Sequence, residues 1–362
     1  MCFLFSGDTA LAVIYSQRRS NHTLILNYDT LQMEAEVREL EGEVVRPGAL
    51  PGVLVGKTRV WRNGRETVTD CHAVFPTGAV AELSPTGGSG APGLAARVWA
   101  ATTSLTMLCV GLGAKLLLCG LNTTVVHGRE NLTRMFSGPE RSRPVLSVTN
   151  HQSCFDDPGV WGAVLSPSKL ADTKRMRWGA SASEVIFLNR GLAAFWNLGK
   201  VVPIVRGWGV SQPAMEFLLA RLRAGAWVNI FPEGRVCSPG EKVRYRWGVG
   251  RLLADCSPAP LLLPVCHRGM EQVLPNPATP GHAQPLLPRP ANLVTVNIGR
   301  PVLLSAPPGC EDAEEAWTAL TAEVQRVMEE LAEETDELHR QNLHRWLARW
   351  HDGCDTTPAI LT

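Results

Sequence analysis

The sequence lacks the patterns typical of metal-dependent, nucleotide-dependent and nucleic-acid-binding proteins. Its ten cysteines are scattered, with no C-x-x-C pair and no zinc-ligand spacing, so we expect free thiols and no metal site. It has no P-loop and no G-x-G-x-x-G fingerprint, so no nucleotide cofactor is predicted. The 35 lysines and arginines nearly cancel the 34 aspartates and glutamates, which argues against a protein that coats nucleic acid.

Charged residues are also scarce, at 19%, whereas 45% of the 362 residues are hydrophobic. That apolar content is enough for a sizeable core and excludes a wholly disordered chain. The N-terminus has no basic region and Asp8 interrupts its apolar run, so we predict neither a signal peptide nor a transit peptide.

The longest uncharged run covers 17 residues, 98–114, between Arg97 and Lys115. A helix of that length is about 26 Å long, and the leucines after Lys115 can extend it toward the roughly 20 residues that span a bilayer core. We therefore predict a membrane-anchoring segment at 94–121, either spanning or re-entrant. A buried core helix is the alternative.

The rest of the chain divides into recognisable regions. Residues 1–93 are an extension without an assigned role that ends in a Gly/Pro/Ser linker, 84–93. Residues 122–310 alternate strands and helices, and 311–362 form a C-terminal amphipathic helix and tail, whose apolar stripe favours core packing over a membrane surface. Nearly continuous apolar runs predict strands at 144–149, 201–205, 227–231, 261–265 and 293–298. We expect an α/β fold with a mixed, mostly parallel sheet flanked by helices.

The clearest candidate for chemistry is the segment NHQSCFDDP, in which His151 and Asp156 are five residues apart. On one helix they would be rotated by about 140° and would not share a face. Pro158 suits a first helical position with Asp157 as the cap, which leaves His151 in the preceding loop. A loop that turns back can bring the carboxylate onto the ring and leave the other nitrogen as a general base. For these two residues taken alone, a structural or capping role is favoured.

Two further turns carry charged side chains after apolar strands. Arg206 follows the strand at 201–205, where a guanidinium can bind phosphate through two hydrogen bonds. For this residue taken alone, a surface salt bridge is favoured. Glu233 and Arg235 lie in the turn IFPEGR, which can also be a plain β-turn.

The fourth segment, LLLPVCHRGM, contains Pro264 inside an apolar run. Because proline cannot donate to a sheet ladder, we expect an edge or irregular strand here. His267 is either a second base or a satisfied core histidine, and the second interpretation is favoured.

Taken in order, H-x-x-x-x-D, Arg-Gly, Phe-Pro-Glu-Gly and Leu-Pro resemble the four sequence blocks of the glycerolipid acyltransferases. The likeness is closer to the tafazzin family, the mitochondrial phospholipid–lysophospholipid transacylases. It covers roughly residues 95–340 and is carried by the segments SVTNHQSCFDDPGVWG, MRW, LGKVVPIVRG, IFPEGR, RWGVGRLLADC and LPVCHRGMEQVLPN.

The resemblance implies a role for each block. His151 looks like the general base and Asp156 like its orienting partner. Arg206, with Glu233 and Gly234, looks like the site that holds the phosphate and glycerol of the lipid.

The resemblance also implies the remaining features of the enzyme. Arg235 stands where lysine is also found in the family, and Pro264 lies in the block that shapes the acyl pocket. The acyl donor would be another phospholipid, with cardiolipin as the prominent acceptor or product and no cofactor required. The protein would act at a mitochondrial membrane, outer or inner, facing the intermembrane space.

Two alternatives stay open. An enzyme with the same fold and base could use acyl-CoA, like the 1-acylglycerol-3-phosphate acyltransferases. A lipid-binding membrane protein that has lost catalysis is the other, although the intact His151, Asp156 and Glu233 argue against it.

Overall fold

A computed structural model describes residues 11–17, 20–26, 53–62, 65–74, 94–137, 143–187, 189–206, 209–275, 287–310 and 312–354. They divide into two compact units, one within 1–102 and 180–214 and the other within 103–179 and 215–362. The linker predicted at 84–93 lies outside the described residues.

The described residues form twelve β-strands and ten α-helices. The strands are β1 Leu11–Gln17, β2 Ser20–Leu26, β3 Val53–Arg62, β4 Arg65–Val74, β5 Thr123–His127, β6 Val145–Thr149, β7 Trp178–Ala182, β8 Val201–Ile204, β9 Trp227–Ile230, β10 Leu261–Arg268, β11 Leu293–Ile298 and β12 Val302–Leu303. The helices are α1 Leu94–Lys115, α2 Arg129–Ser137, α3 Asp156–Val164, α4 Pro167–Leu170, α5 Ser183–Ile186, α6 Arg190–Leu198, α7 Pro213–Arg223, α8 Gly248–Ala254, α9 Met270–Val273 and α10 Ala313–Cys354.

The larger unit is built on a mostly parallel sheet, in the order β5-β11-β10-β6-β9, and the start of β7 pairs with β9. The pairs β5–β11, β10–β6, β6–β9 and β7–β9 are parallel, whereas β10 pairs antiparallel with β11 and β12. In the smaller unit β1 pairs with β2, β3 pairs with β4, and β8 lies beside β7. The predicted α/β class with a mixed, mostly parallel sheet is therefore confirmed.

The expectation that Pro264 marks an edge strand is wrong. Strand β10 is central, with β6 on one side and β11 and β12 on the other. Pairing with β12 ends at Leu262 and pairing with β11 begins at Val265, so no ladder donor is needed between them. The Pro264 carbonyl accepts a hydrogen bond from the Gly299 N–H at 2.9 Å. A proline is thus accommodated in the gap between two partner strands.

The C-terminal helix α10 packs on β10, β11 and α8. Leu320, Val324, Met328 and Leu331 are buried along this face. Each fully buried aliphatic side chain contributes about 1.5–3 kcal/mol relative to an exposed one, so the stripe anchors the helix to the sheet.

Helix α1 continues without a break into a π-helical turn, Leu116–Leu121. Among the described helices it alone is long and apolar enough to cross a membrane, and 22% of its apolar window is buried. Leu105 is exposed on one face, whereas Leu118 on another is fully buried.

The buried face of α1 lies close to α3. A Cβ added at Gly162 of α3 would stand 2.6 Å from the Cβ of Ala114 and 2.9 Å from the carbonyl of Gly111. The Lys115 ammonium donates to the Ala163 carbonyl at 3.0 Å, so it bonds to the end of α3 instead of extending away from the protein. The apolar helix is therefore joined to the helix that begins at Asp156.

Candidate active site

The site is built where β6 ends and its chain turns into α3. The side chain of Asn150 accepts a hydrogen bond from the His267 N–H at 2.8 Å and donates to the His267 carbonyl at 3.1 Å. These bonds extend the β6–β10 pairing, whose last register pair is Val265 with Thr149. The start of the loop that carries His151 is therefore tied to the central strand of the sheet.

The loop turns back so that one carboxylate oxygen of Asp156 collects three N–H donors. Oδ2 accepts from the main chain of Gln152 at 2.6 Å and of Ser153 at 2.8 Å, and it lies 2.9 Å from Nδ1 of His151. Since a carboxylate only accepts, Nδ1 carries the hydrogen. The ring is therefore held in one tautomer by a carboxylate that is fully buried.

The helix begins at Asp156, one residue before the predicted cap Asp157. The expected capping role of Asp157 is wrong, because its carboxylate forms an ion pair with the Arg177 guanidinium instead, with Nε 2.9 Å from Oδ1. Phe155 occupies the cap position without a side-chain capping bond.

Asp156 remains ionised despite its burial. Burial alone would raise the pKa of its carboxyl, but the electrostatic attraction of His267 and the hydrogen bond from His151 hold the pKa down, at about 2. The site therefore contains a fixed negative charge at neutral pH.

The His151 ring is supported on several sides. It stacks on Phe231, with ring centroids 4.2 Å apart. The main-chain carbonyl of His151 accepts a hydrogen bond from the Cys237 N–H at 2.8 Å. The main-chain N–H of His151 donates to Oε1 of Glu233 at 3.3 Å. The side chain is 21% exposed. Within the part of the chain that the structure describes, Nε2 has no hydrogen-bond partner and is available to a bound molecule.

Glu233 brings a second carboxyl beside His151. It is 6% exposed, and its Oε2 is buried with no hydrogen-bond partner among the described residues. Burial raises the pKa of this carboxyl to about 7, against smaller opposing effects of its hydrogen bonds and of His151. A buried acceptor without a donor is costly, so this oxygen is suited to a hydroxyl supplied by a ligand.

The turn after Glu233 needs a glycine. Gly234 has φ of +71°, and a Cβ there would stand 3.3 Å from Cγ of Arg246. The Arg246 N–H in turn donates to the Pro232 carbonyl at 2.8 Å, which fixes that arginine to the turn. Arg235 points elsewhere and forms an exposed ion pair with Glu241.

The other two predicted site residues lie in different surroundings. Pro264 is buried in β10 opposite Val148, and a Cβ at Gly299 would stand 2.8 Å from its ring. Arg206 is exposed just beyond β8, in the smaller unit. The larger unit therefore brings together His151, Asp156 and Glu233.

His267 is the residue at this site that sequence reasoning assigned to the core. Its ring is fully buried, and Nε2 lies 3.4 Å from Oδ1 of Asp156 and 3.0 Å from the Asn150 carbonyl. No local sequence signal marks this contact, because it depends on the register of β10 against β6, which puts the residues after both strands side by side.

In comparisons with known proteins, this chain is similar to acyltransferases and tafazzins. A family model described as Acyltransferase matches residues 123–268, which include His151, Asp156, Glu233 and Pro264. The tafazzin of Drosophila melanogaster is 32% identical over 250 residues, or 68% of this chain and 64% of that protein. A tafazzin of Dictyostelium discoideum is 37% identical over 160 residues, 43% of this chain and 56% of that one.

A third relative has a different name. The N-acylphosphatidylethanolamine synthase of Arabidopsis thaliana is 33% identical over 208 residues, which are 57% of this chain and 72% of that protein. The chain thus spans slightly less than two thirds of the fly tafazzin and more than two thirds of the plant synthase.

Proposed function

Because this chain belongs to the glycerolipid acyltransferase family, we propose that it is a membrane-bound transacylase that moves acyl chains between phospholipids and lysophospholipids. The observation that carries the proposal is the His151 ring, with Nδ1–H held by Asp156 at 2.9 Å and Nε2 free of protein partners among the described residues. This is the arrangement that a general base needs in acyl transfer.

The reaction follows from that arrangement. Nε2 of His151 takes the proton of a lysophospholipid hydroxyl, and the hydroxyl oxygen attacks the ester carbonyl of a donor phospholipid. The tetrahedral intermediate then expels the donor's glycerol oxygen, which receives the same proton from His151. One ester forms and one breaks, so no nucleotide or CoA is consumed. Asp156 stabilises the imidazolium that exists between the two steps.

We assign the lipid headgroup to the turn beside His151. Oε2 of Glu233 is the acceptor for a glycerol hydroxyl, since it is buried and has no donor among the described residues. Gly234 has no side chain, so it leaves space for the lipid headgroup at this turn. Arg246, whose main chain is fixed to this turn, is the proposed cation for lipid phosphate there, because one guanidinium can bind two phosphate oxygens. Arg206 in the smaller unit and Arg235 in its exposed pair with Glu241 stay separate proposals for substrate binding. Pro264 is the proposed wall of the acyl pocket.

The substrate and location follow the tafazzin relatives. We propose cardiolipin as the prominent acceptor or product, at a mitochondrial membrane facing the intermembrane space. The exposed apolar face of α1 supports membrane contact, with 94–121 as the anchor and 122–310 as the catalytic domain. Residues 1–93 then precede the catalytic domain in the sequence, and α10 packs on its strands β10 and β11.

A second candidate concerns the acceptor. The similarity to the plant synthase, whose name specifies N-acylation of phosphatidylethanolamine, favours an amine acceptor in place of an alcohol. The same base could deprotonate either group. Use of acyl-CoA as donor is the remaining enzyme alternative.

The test uses the full chain purified into vesicles that contain a labelled phosphatidylcholine and either monolysocardiolipin or phosphatidylethanolamine, with CoA omitted. Labelled cardiolipin is the expected product. An alkali-stable amide on phosphatidylethanolamine would favour the second candidate. Transfer that starts only when acyl-CoA is added would overturn the transacylase proposal.

A further inference from the structure

His267 contacts the same carboxylate as His151, but from the other oxygen. His151 lies on Oδ2 of Asp156 at 2.9 Å, and Nε2 of His267 lies 3.4 Å from Oδ1. Both Asp156 and His267 are fully buried, so solvent does not screen this contact. Nothing in the proposed mechanism uses His267, and a fully buried ring cannot reach the lipid.

The surroundings of His267 determine where its hydrogen lies. Nε2 is 3.0 Å from the Asn150 carbonyl oxygen as well as 3.4 Å from the Asp156 carboxylate. Both neighbours can only accept a hydrogen bond, so Nε2 must carry the N–H. Nδ1 has no hydrogen-bond partner among the described residues. The ring N–H therefore bonds to the Asn150 carbonyl and also lies beside Oδ1 of Asp156, which has no hydrogen-bond partner among the described residues.

We propose that His267 is a positioning residue, which holds Asp156 from the side opposite His151 and thereby sets the pH range over which His151 acts as a base. This inference rests on the proposed function. The positive end of the His267 ring, 3.4 Å from Oδ1, offsets part of the negative charge of the carboxylate, so His151 is attracted less strongly into its protonated form. The low pKa of Asp156, about 2, and the raised pKa of His267, which Asp156 raises against the effect of burial, agree with this coupling.

Other charged groups act on the same pair and define what the test must hold constant. Glu233 faces His151 from the turn after β9, with a pKa raised to about 7 by burial. Glu271 at α9 and Arg268 at the end of β10 act on His267 with opposite signs. All three remain in place when only His267 is changed.

The experiment measures His151 directly and needs no turnover. The full chain in detergent micelles is treated with diethylpyrocarbonate, which reacts with neutral imidazole, and modification of His151 is followed by mass spectrometry from pH 5 to pH 9. In His267→Leu, which has no donor for Asp156, we expect the midpoint of this profile to rise by about one pH unit. In His267→Gln, whose amide keeps an N–H near the same place, we expect most of the wild-type profile to be restored.

The matched control is His339→Gln. His339 is a half-buried histidine of the same unit, and its Nδ1 lies 3.0 Å from a hydroxyl, that of Thr295. We expect this change to leave the His151 profile unmoved. A folded His267→Leu protein with an unchanged midpoint would overturn the proposal.

If His267→Leu does not fold, nitrogen-15 NMR of the wild-type ring decides the matter. A His267 Nε2 signal that shifts as His151 titrates supports the proposal, and a signal that stays constant through that titration refutes it. Because neither readout depends on lipid, a protein that proves inactive in CoA-free exchange would refute the proposed function without affecting this result.

Discussion

Replacing Asp156 with asparagine tests the carboxylate that joins the two histidines. Three N–H donors converge on Oδ2 at 2.6–2.9 Å, and the His267 N–H faces Oδ1 at 3.4 Å. An amide oxygen turned toward the three donors places its NH2 group against His267. The opposite orientation places the NH2 group against the three donors. In either orientation the NH2 group of the asparagine faces a buried N–H donor, although asparagine has nearly the same shape as aspartate.

The cost can be estimated from two contributions. The pKa of Asp156 falls from an ordinary 3.8 to about 2 in the folded protein, which corresponds to about 2 kcal/mol of stability at neutral pH. Because the folded pKa is lowered, this stability is present above about pH 4 and is lost as the pH falls toward 2. A buried donor without an acceptor costs about 1–3 kcal/mol more. We therefore expect Asp156→Asn to lower the free energy of unfolding by at least about 2 kcal/mol at pH 7.

Turnover should fall further than stability explains. Losing the partner that orients a general base costs about 10²- to 10⁴-fold in rate. Because Asp156 is buried and does not contact the lipid in our proposal, the KM for lysolipid should change little. The assays are CoA-free acyl exchange and denaturant unfolding followed by tryptophan fluorescence. The matched control is Asp157→Asn, which removes the same charge one residue along. It should lose stability through its pair with Arg177 but keep turnover within about tenfold of wild type. Wild-type turnover in a folded Asp156→Asn protein would refute the reasoning.

Three further predictions concern the turn and the apolar helix. Glu233→Gln should be more stable than wild type at pH 8 and equal to it near pH 4.5. Because the pKa of Glu233 is raised to about 7 in the folded protein, ionising this carboxyl destabilises the folded state by up to about 3 kcal/mol as the pH rises. Equal melting temperatures of the two proteins at both pH values would contradict this prediction. Gly234→Ala should lose about 1–2 kcal/mol of stability and most activity, since φ is +71° and Cγ of Arg246 lies 3.3 Å from the new methyl group; an active variant with an unchanged melt would contradict this. Leu105→Arg should weaken carbonate-resistant membrane association by about 2.5–3.5 kcal/mol, because Leu105 is on the exposed face of the apolar helix; full retention in the pellet would place the anchor elsewhere.

Several elements could be read from the sequence because their physical signal is local. The predicted strands at 144–149, 227–231 and 293–298 correspond to β6, β9 and β11, whose residues are almost entirely buried and mostly apolar. Strand β5, TTVVH, is half-buried along its length and mixes polar with apolar residues, so it gives no continuous run. Strand β7, WGASA, is short and consists largely of small residues, so it also gives no continuous apolar run that would predict a strand.

In the candidate site, too, contacts between residues close in the sequence are predictable, and contacts between distant residues are not. His151 and Asp156 are five residues apart, so their contact depends on only one loop, and the sequence predicts it once the family resemblance is added to the spacing. The contact between His267 and Asp156 joins residues more than 100 positions apart. It depends on the register of β10 against β6, which apolar patterns do not specify. Asp157 was misread as a cap because its partner Arg177 is also distant in the sequence.

The central claim is that one imidazole removes a proton from the acceptor while the donor's own ester supplies the acyl group. The most direct measurement compares initial rates of acyl exchange between purified phospholipid and lysophospholipid, without CoA, for the wild-type chain and for His151→Gln. We predict exchange by the wild type and none above background by a folded His151→Gln variant that still binds vesicles. Equal rates for the two proteins would contradict the account.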